Sequence, residues 1–285
     1  MTRWLVTGAA GMLGQDLLAA LGGEDVTAVT RTELDITDPL AVASAVAGHD
    51  VVVNAAAWTN VDAAETAEDE ATAVNGHAVA TLAEACAASG ARLLQVSTDY
   101  VLAGQGSLPH AEDAPTAPVN AYGRSKLVGE RAVLRHLPDT GYVVRTAWLY
   151  GAHGPNFVRT MLRLSGERDT VEVVNDQYGQ PTWSAALAVQ LRDLGRAALD
   201  GTAPAGVYHG TSAGRASWYG LARAIFEEAG LDPARVLPTT SDRFVRPAAR
   251  PANSVLGHLA WGRTPVAPLG PWREMLAKAF IEGLS

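Results

Sequence analysis

The sequence predicts an α/β protein in which a Rossmann-type doubly wound parallel sheet is joined to a smaller, interleaved α/β C-terminal domain. Two observations carry this prediction. Short apolar runs alternate with segments of helical periodicity through the first half of the chain, a pattern typical of parallel strands covered by helices on both faces. A glycine-rich turn, residues 8–14, lies between the first apolar run and the first helical segment.

The predicted elements follow one another as strand, helix, strand. Residues 4–7 form an apolar run suited to a buried parallel strand, and residues 12–21 have helical periodicity. Right-handed crossovers would wind such units into one sheet, with ligands bound beyond the carboxyl ends of its strands. Further strands are predicted at 26–29, 51–54, 92–97 and 142–145, and further helices at 39–47, 68–89 and 121–137.

Beyond about residue 150 the pattern loosens and proline and glycine become more frequent. We expect residues 1–150, with about 171–200, to form the sheet domain. Residues of about 151–170 and 205–285 are expected to form the second domain. The two domains are therefore predicted to be interleaved along the chain.

Composition limits the classes of partner. The chain has 285 residues, 48% of them apolar, which is ample for a core. Lys and Arg total 22 against 30 Asp and Glu, so nucleic acid is not an expected partner, and any anionic ligand must be bound by locally placed arginines. Cys86 is the one cysteine and is expected to pack in the core. No signal-peptide pattern and no run of about 18 apolar residues occurs. We therefore expect a cytoplasmic protein without a membrane-spanning segment or a membrane partner.

The glycines of the first turn have distinct predicted roles. Gly8 permits the tight turn, Gly11 lets the backbone approach a pyrophosphate, and Gly14 lets the helix pack on the strand. The helix N-terminus would supply N–H groups and the positive end of its dipole. A merely flexible turn is the alternative, and the flanking strand and helix argue against it.

A phenol and an ammonium group stand four residues apart, at Tyr122 and Lys126. On a helix these positions share a face. A phenol has an unperturbed pKa of about 10, so it exchanges protons near neutrality only when a neighbouring cation stabilises its phenolate form. Such pairs also occur on solvated helices. Together with the glycine turn and residues 97–99, however, the pair predicts a reaction centre.

The glycine spacing and the Tyr-x-x-x-Lys pair resemble the short-chain dehydrogenase/reductase superfamily. Further blocks make the chain similar to the dTDP-4-dehydrorhamnose reductase family, which belongs to the extended branch of that superfamily. Residues 175–182 and 250–254 discriminate best, because the superfamily at large does not carry them. The matching blocks are residues 8–14, 35–38, 54–59, 61–62, 65, 97–101, 122–130, 145–151, 156–158, 175–182 and 250–254.

The resemblance implies NAD(P)H-dependent reduction of the 4-keto group of a dTDP-deoxysugar, by three catalytic residues. Tyr122 would donate the proton, and Lys126 would lower the pKa of Tyr122 and bind the nicotinamide ribose. Thr98 would donate a hydrogen bond to the carbonyl oxygen, with capping of the strand end as its alternative role. Asn75 resembles a position that supports the active site.

The implied cofactor is NADPH, with NADH as an alternative. Arg31 follows the second strand, where a 2′-phosphate would be bound, and no acidic residue occurs before Glu33. Asp35 and Ile36 are assigned to the loop that contacts adenine in the family, although Asp35 has the spacing of an NAD-type acid. The implied cofactor-binding residues are Gly8, Gly11, Met12, Leu13, Gly14, Arg31, Asp35, Ile36, Ala55, Ala56, Ala57, Thr59, Tyr122 and Lys126.

The implied substrate is a dTDP-4-keto-deoxysugar, whose diphosphate needs a cation. Arg250, with its planar fork, is the best candidate for a phosphate clamp, and a loop ion pair is the alternative. Asp99 is expected to contact the sugar, although an aspartate after a strand is often a turn cap. The implied substrate-binding residues are Thr59, Asp99, Tyr100, Trp148, Asp176, Gln177, Arg250 and Asn253.

No protein-bound metal is predicted, because the histidines lack metal-ligand spacing. Some relatives bind magnesium at a dimer interface through C-terminal glutamates. Here that region has only Glu274 and Glu282, so the use of magnesium stays open. A monomer or weak homodimer is expected.

Three other functions stay open. The chain could reduce another dTDP-4-keto sugar of an antibiotic pathway, as in dTDP-dihydrostreptose formation. A nucleotide-sugar epimerase or dehydratase shares the fold. Dehydratase relatives, however, carry Thr-Asp-Glu at the catalytic strand end, whereas in this chain Tyr100 follows Thr98 and Asp99. A non-catalytic cofactor-binding regulatory subunit is the third, and the intact Thr98, Tyr122 and Lys126 argue against it.

Overall fold

The computed structural model describes residues 1–284. Among the helices of this stretch, none combines the length and the apolar character that crossing a lipid bilayer requires. In chain order, the strands and helices are β1 (Arg3–Thr7), α1 (Met12–Ala20), β2 (Asp25–Val29), α2 (Pro39–Val46), β3 (Val51–Asn54), α3 (Val61–Ala64), α4 (Glu68–Thr72), α5 (Ala78–Ser89), β4 (Arg92–Thr98), α6 (Ala121–His136), β5 (Gly141–Thr146), β6 (Leu149–Tyr150), α7 (Phe157–Glu167), β7 (Val171–Val174), β8 (Tyr178–Gly179), β9 (Thr182–Trp183), α8 (Ser184–Leu199), β10 (Gly206–His209), β11 (Ala216–Ser217), α9 (Trp218–Glu228), β12 (Val236–Thr239) and α10 (Trp272–Ile281).

The central sheet has six parallel strands in the order β10-β5-β4-β3-β1-β2. The chain winds outward from β1 in both directions, so the order reverses between β1 and β3. In open α/β sheets, ligands bind outside the carboxyl ends of the strands at such a switch point. The predicted doubly wound Rossmann-type fold is confirmed.

Alternating side chains of the strands build two apolar layers, because successive residues of a strand point to opposite faces. Trp4 packs on one face against α1 and α8, and Leu5 packs on the other against α2 and α5. Both side chains are fully buried. A third cluster joins α7, α9 and α10 to β7 and β12 and forms the core of the C-terminal elements.

Two segments lie elsewhere than the sequence predicts. β7, expected in the sheet domain, pairs in parallel with β12 among the C-terminal elements. β10, expected in the second domain, extends the central sheet beside β5. Short apolar runs of this kind look alike in sequence, and tertiary pairing decides which sheet they join. The division of the chain into two domains otherwise stays a prediction.

The helix predicted at 68–89 is interrupted. Between α4 and α5 the residues Ala73–His77 form a π-helical turn, a feature that is often found at functional sites. α6 passes very close to this turn, since a Cβ added at Gly129 would lie 2.2 Å from the carbonyl oxygen of Asn75. The turn therefore brings Asn75 against the helix that carries Tyr122 and Lys126.

Candidate active site

The glycine turn forms a cradle that no side chain could enter. Gly8 has a φ of +70°, and a Cβ added there would lie 2.6 Å from the backbone nitrogen of Ala56. A Cβ at Gly14 would lie 2.3 Å from the carbonyl oxygen of Gly8. α1 begins after Gly11, with no side chain capping its first N–H groups. The cradle fits the pyrophosphate of a dinucleotide, which such N–H groups bind.

Three of the predicted cofactor-binding residues have buried or half-buried side chains. Leu13 and Ile36 are buried in the apolar layers on opposite faces of the sheet. Met12 is the first residue of α1 and is half-buried. Contact with a cofactor through Leu13 or Ile36 would therefore use their backbone atoms.

Polar side chains connect the strand ends to Lys126. Thr7 donates to the Asn54 Oδ1 atom, and Asn54 Nδ2 donates to Gln95 Oε1 at 2.7 Å. Gln95 Nε2 and Lys126 Nζ both donate to the carbonyl oxygen of Val96, at 2.8 and 2.7 Å. The network holds the carboxyl ends of β1, β3 and β4 in register with the ammonium group. The sequence analysis assigns no role to Gln95. A glutamine inside an apolar strand nevertheless indicates a buried polar contact.

The three predicted catalytic side chains lie together at the carboxyl end of β4. Thr98 is the last residue of β4, and Tyr122 and Lys126 lie in the first two turns of α6. Burial raises the pKa of Tyr122, the charge of an ionised Asp99 raises it further, and the neighbouring Thr98 hydroxyl opposes both effects. Burial lowers the pKa of Lys126 to about 8, against the opposing charge of Glu130.

The Lys126 ammonium group donates to the Val96 carbonyl oxygen in this structure, and its effect on the pKa of Tyr122 stays a prediction. The pKa of Tyr122 is raised, so the phenol is held protonated. A protonated phenol is the form that a proton donor needs.

Asn75 fixes the loop that follows β3. Its Oδ1 atom accepts from the backbone nitrogen of Trp58 at 2.9 Å, and its Nδ2 atom donates to the Trp58 carbonyl oxygen and to Ser125 Oγ at 3.0 Å each. The loop includes Ala55, Ala56 and Ala57, which are half-buried, and exposed Thr59. Asn75 is thus a buried support and not a solvated helix residue.

The turn after β2 presents one exposed cation. Glu33 accepts from the backbone nitrogen and hydroxyl of Thr30, which lowers its pKa, and Asp35 accepts likewise from Thr37. Both carboxylates are therefore engaged by neighbouring threonines. The Arg31 side chain is exposed beside them and has the position expected for a 2′-phosphate contact.

Arg250 lies beside the reaction centre but is paired. Its guanidinium contacts Asp62 Oδ1 at 3.0 Å and donates to the carbonyl oxygen of Ala248. Burial raises the pKa of Tyr100, and the charge of Arg250 opposes this rise. The Tyr100 ring packs edge to face on Tyr122 with centroids 6.0 Å apart. In this structure Arg250 therefore forms the loop ion pair, and a phosphate would compete with Asp62 for it.

Asp176 and Gln177 are not equivalent in the structure. Asp176 accepts from the backbone nitrogen and hydroxyl of Ser241 and holds the turn that follows β12. Gln177 is half-buried. Asn253 is buried and donates to the carbonyl oxygen of Leu108 at 3.1 Å, while its Oδ1 atom has no partner. The unpaired Oδ1 atom of Asn253 is the one that could still accept a hydrogen bond.

Trp148 has a constrained backbone and a stacked ring. Its φ is 48°, a value that is rare for a bulky residue. The ring stacks on Trp218 at 3.6 Å, and a Cβ added at Gly179 would lie 2.5 Å from it. The half-buried indole is thus held between two elements of the C-terminal cluster.

A buried ion pair lies behind Lys126. Arg145 donates to both carboxylate oxygens of Glu130, with its Nη2 atom 2.8 Å from Oε2. Ser97 donates to Glu130 Oε1 at 2.6 Å. The blocks that match the family contain Ser97, Glu130 and Arg145, but they do not predict that these side chains contact one another. Over residues 1–284, no group of three or more metal-ligating side chains converges.

A family model described as the RmlD substrate binding domain matches residues 2–284. The chain is 57% identical over 282 residues to a Streptomyces griseus protein named dTDP-4-dehydrorhamnose reductase, with 98% of this chain and 93% of that protein covered. It is 52% identical over 282 residues to a dTDP-4-keto-6-deoxy-D-glucose reductase of Streptomyces niveus, covering 98% and 96%.

One solved structure shows the same likeness in three dimensions. It is the crystal structure of a dTDP-4-dehydrorhamnose reductase from Bacillus anthracis in complex with NADP. The TM-score is 0.92 and the identity 36%, with 99% of this chain and 100% of that chain covered. The similarity therefore includes the C-terminal elements as well as the sheet.

Proposed function

Since the chain belongs to the dTDP-4-dehydrorhamnose reductase family, within the extended short-chain dehydrogenase/reductases, we propose that it converts dTDP-4-dehydro-L-rhamnose to dTDP-L-rhamnose with NADPH. The observation that carries the proposal is the convergence of Thr98, Tyr122 and Lys126 at the strand end beside the glycine cradle. These residues supply what ketone reduction needs from a protein: a proton, a hydrogen bond to the oxygen and a bound cofactor.

Bound NADPH supplies the hydride that goes to C4 of the sugar. The glycine cradle and the free N–H groups of α1 would hold the pyrophosphate, and Arg31 the 2′-phosphate. Lys126, anchored through Val96, would bind the ribose of the nicotinamide. The loop held by Asn75 would line the nicotinamide side.

Tyr122 and Thr98 would share the oxygen of the ketone. As hydride reaches C4, the C=O π electrons move onto the oxygen, which takes the phenolic proton of Tyr122. The Thr98 hydroxyl would stabilise the developing charge by a hydrogen bond. The phenolate left on Tyr122 would then regain a proton from solvent. Tyr100, Trp148 and Asn253 are proposed to contact the sugar, and Arg250 the diphosphate.

A second candidate substrate is another dTDP-4-keto-deoxysugar. The observation that favours it is the 52% identity to the Streptomyces niveus reductase, which is named for dTDP-4-keto-6-deoxy-D-glucose. The reacting group and the nucleotide are the same, so Thr98 and Tyr122 would serve both sugars. The choice would depend on contacts to the other sugar carbons.

A panel of dTDP-4-keto sugars tests this proposal. Each is mixed with the protein and NADPH, and the loss of nicotinamide absorbance is followed. We expect the largest kcat/KM for dTDP-4-dehydro-L-rhamnose. A larger value for a different member of the panel would transfer the assignment to that sugar, and no turnover of any member would overturn the reductase proposal.

Arg31→Ala is expected to lower the preference for NADPH over NADH by about 10- to 100-fold. A charge-assisted contact to the 2′-phosphate contributes about 1.5 to 3 kcal/mol, and each 1.4 kcal/mol is about tenfold. The measurement is kcat/KM with both cofactors. Arg163→Ala, which removes an exposed arginine on α7, is the matched control. An unchanged ratio in Arg31→Ala would show that Arg31 does not bind the phosphate.

We also propose that the protein is cytoplasmic and acts as a monomer or weak homodimer. We propose that it needs no metal. Whether magnesium is used can be tested by comparing its activity with and without a chelator. Location, oligomeric state and metal dependence can each be measured independently of the substrate assignment.

A further inference from the structure

Asp99 is a buried carboxyl group in contact with a proposed catalytic residue. It is 3% exposed, and its Oδ1 atom accepts from Thr98 Oγ1 at 2.9 Å. Its Oδ2 atom is buried and has no hydrogen-bond partner. Over residues 1–284 it takes part in no ion pair, and the Arg250 guanidinium contacts Asp62 instead. An ionised carboxylate in such a place is costly, and a neutral carboxyl group costs less.

The Thr98 hydroxyl cannot serve two acceptors. A hydroxyl has a single hydrogen to donate, and its oxygen accepts. The backbone nitrogen of Tyr100 already donates to Thr98 Oγ1, at 3.2 Å. If Thr98 gives its hydrogen to an ionised Asp99, none is left for the carbonyl oxygen of the substrate.

We propose that Asp99 is a positioning residue that works in its protonated form: its carboxyl hydrogen goes to Thr98 Oγ1, which turns the Thr98 hydrogen toward the sugar carbonyl. The inference rests on the proposed function, since it assigns the geometry of the same reaction. In the ionised form, Asp99 takes the Thr98 hydrogen and the carbonyl loses this donor.

The surroundings of Asp99 raise its pKa above the ordinary value of an aspartate. Burial raises the pKa of Asp99 to about 6, and the neighbouring hydroxyls of Ser254 and Thr98 oppose this rise. Ser254 Oγ also lies 3.4 Å from the Tyr178 carbonyl oxygen, to which it can give its one hydrogen. A Ser254 hydroxyl so engaged can accept from Asp99 but not donate to it.

The other titratable groups considered around Asp99 are two phenols with raised pKa values and two charged side chains that pair with each other. Tyr122 on α6 and Tyr100 in the turn after β4 are the two that respond to its charge, and burial raises the pKa of both phenols. Arg250 and Asp62 act on Tyr100 and form a pair with each other. Lys126 on α6, whose pKa burial lowers to about 8, is a further group of this site that titrates near neutral pH. The Asp99→Asn variant keeps Lys126, so a decline that this variant loses is assigned to Asp99.

The sign of the pH effect follows from the raised pKa. Below it Asp99 is protonated and the Thr98 donor is available, and as the pH rises through it the donor is lost. Because kcat reports groups in the substrate complex, wild-type kcat should fall by about tenfold per pH unit above the pKa of Asp99 in that complex.

Asp99→Asn tests the inference against a purely structural role. The amide offers Thr98 a permanent donor, so this variant should retain wild-type kcat within about threefold at low pH and lose the Asp99-dependent decline. Its kcat should therefore exceed that of the wild type at the alkaline end. Asp99→Leu keeps the branched shape and removes the donor, so it should be slower at low pH and equally free of that decline. A decline in Asp99→Asn equal to that of the wild type would overturn the inference, as would an Asp99→Asn variant as slow as Asp99→Leu.

Infrared difference spectroscopy of the NADP⁺ complex gives a readout without turnover. The wild type should show a protonated carboxyl band that disappears as the pH rises and is absent from Asp99→Asn. The absence of any such difference would overturn the inference even in an active enzyme. Conversely, the enzyme could show this band and yet reduce none of the ketosugars. That result would show that Asp99 is protonated, but it would overturn the proposed function and, with it, the positioning role of Asp99.

Discussion

Tyr122→Phe is expected to lower kcat by at least about 10²-fold, because it removes the proton that the alkoxide must receive. General acid catalysis by a positioned side chain is typically worth about 10²- to 10⁴-fold. The phenol suits this task in the structure, since burial raises its pKa and keeps it protonated. The measurement is kcat and KM for the ketosugar at saturating NADPH.

The fold should not suffer from this change. The Tyr122 ring packs beside Trp58 and the alanines of α3, α4 and α6, and all of these contacts remain with phenylalanine. NADPH affinity should stay nearly unchanged, because the variant keeps Lys126 and the glycine cradle. Tyr219→Phe on α9, a tyrosine whose ring contacts the Arg223 guanidinium, is the matched control and should be fully active. Retention of most activity by Tyr122→Phe would require a different proton donor.

Arg145→Met is expected to destabilise the fold by about 3 to 5 kcal/mol, the usual cost of leaving one buried charge without its partner. The side chains of Arg145 and Glu130 are only 4% and 2% exposed. After the change Glu130 would keep the Ser97 hydroxyl as donor but would lose the guanidinium. The measurement is the shift of the urea midpoint at unchanged slope.

Two control variants separate burial of charge from loss of packing. Adding Glu130→Leu to Arg145→Met removes the unpaired charge, so the double variant should be more stable than the single one. Arg124→Met breaks an exposed pair with Glu68 and should cost less than about 1 kcal/mol. A double variant no more stable than Arg145→Met would mean that the cost comes from the cavity.

The fold could be predicted because its signals are local. Apolar runs at the strands and the glycines at 8, 11 and 14 constrain the backbone wherever the rest of the chain lies. The sheet assignments of β7 and β10 could not be read in the same way. Each is four residues long, and β7 pairs with a strand that follows it by some sixty positions. Local pattern carries no information on such a pairing.

In the candidate site, too, some features follow from local motifs and others from the tertiary fold. The cradle, Thr98, Tyr122 and Lys126 are placed by motifs, and the structure brings them to one end of the sheet. Gln95 acquires its contact only because the register sets it beside Asn54 on the neighbouring strand. The Asp62 partner of Arg250 depends likewise on the tertiary fold. Motifs therefore predict the reacting groups, whereas their supporting contacts need coordinates.

Transfer of deuterium from NADPH labelled at C4 of the nicotinamide is the sharpest test of the proposed reaction. The enzyme is mixed with this cofactor and dTDP-4-dehydro-L-rhamnose for a single turnover, and the product is analysed by NMR and mass spectrometry. We expect dTDP-L-rhamnose with one deuterium at C4 of the sugar, and none with Tyr122→Phe on the same timescale. Deuterium at a different carbon, or no transfer to this sugar at all, would contradict hydride transfer to its 4-keto group.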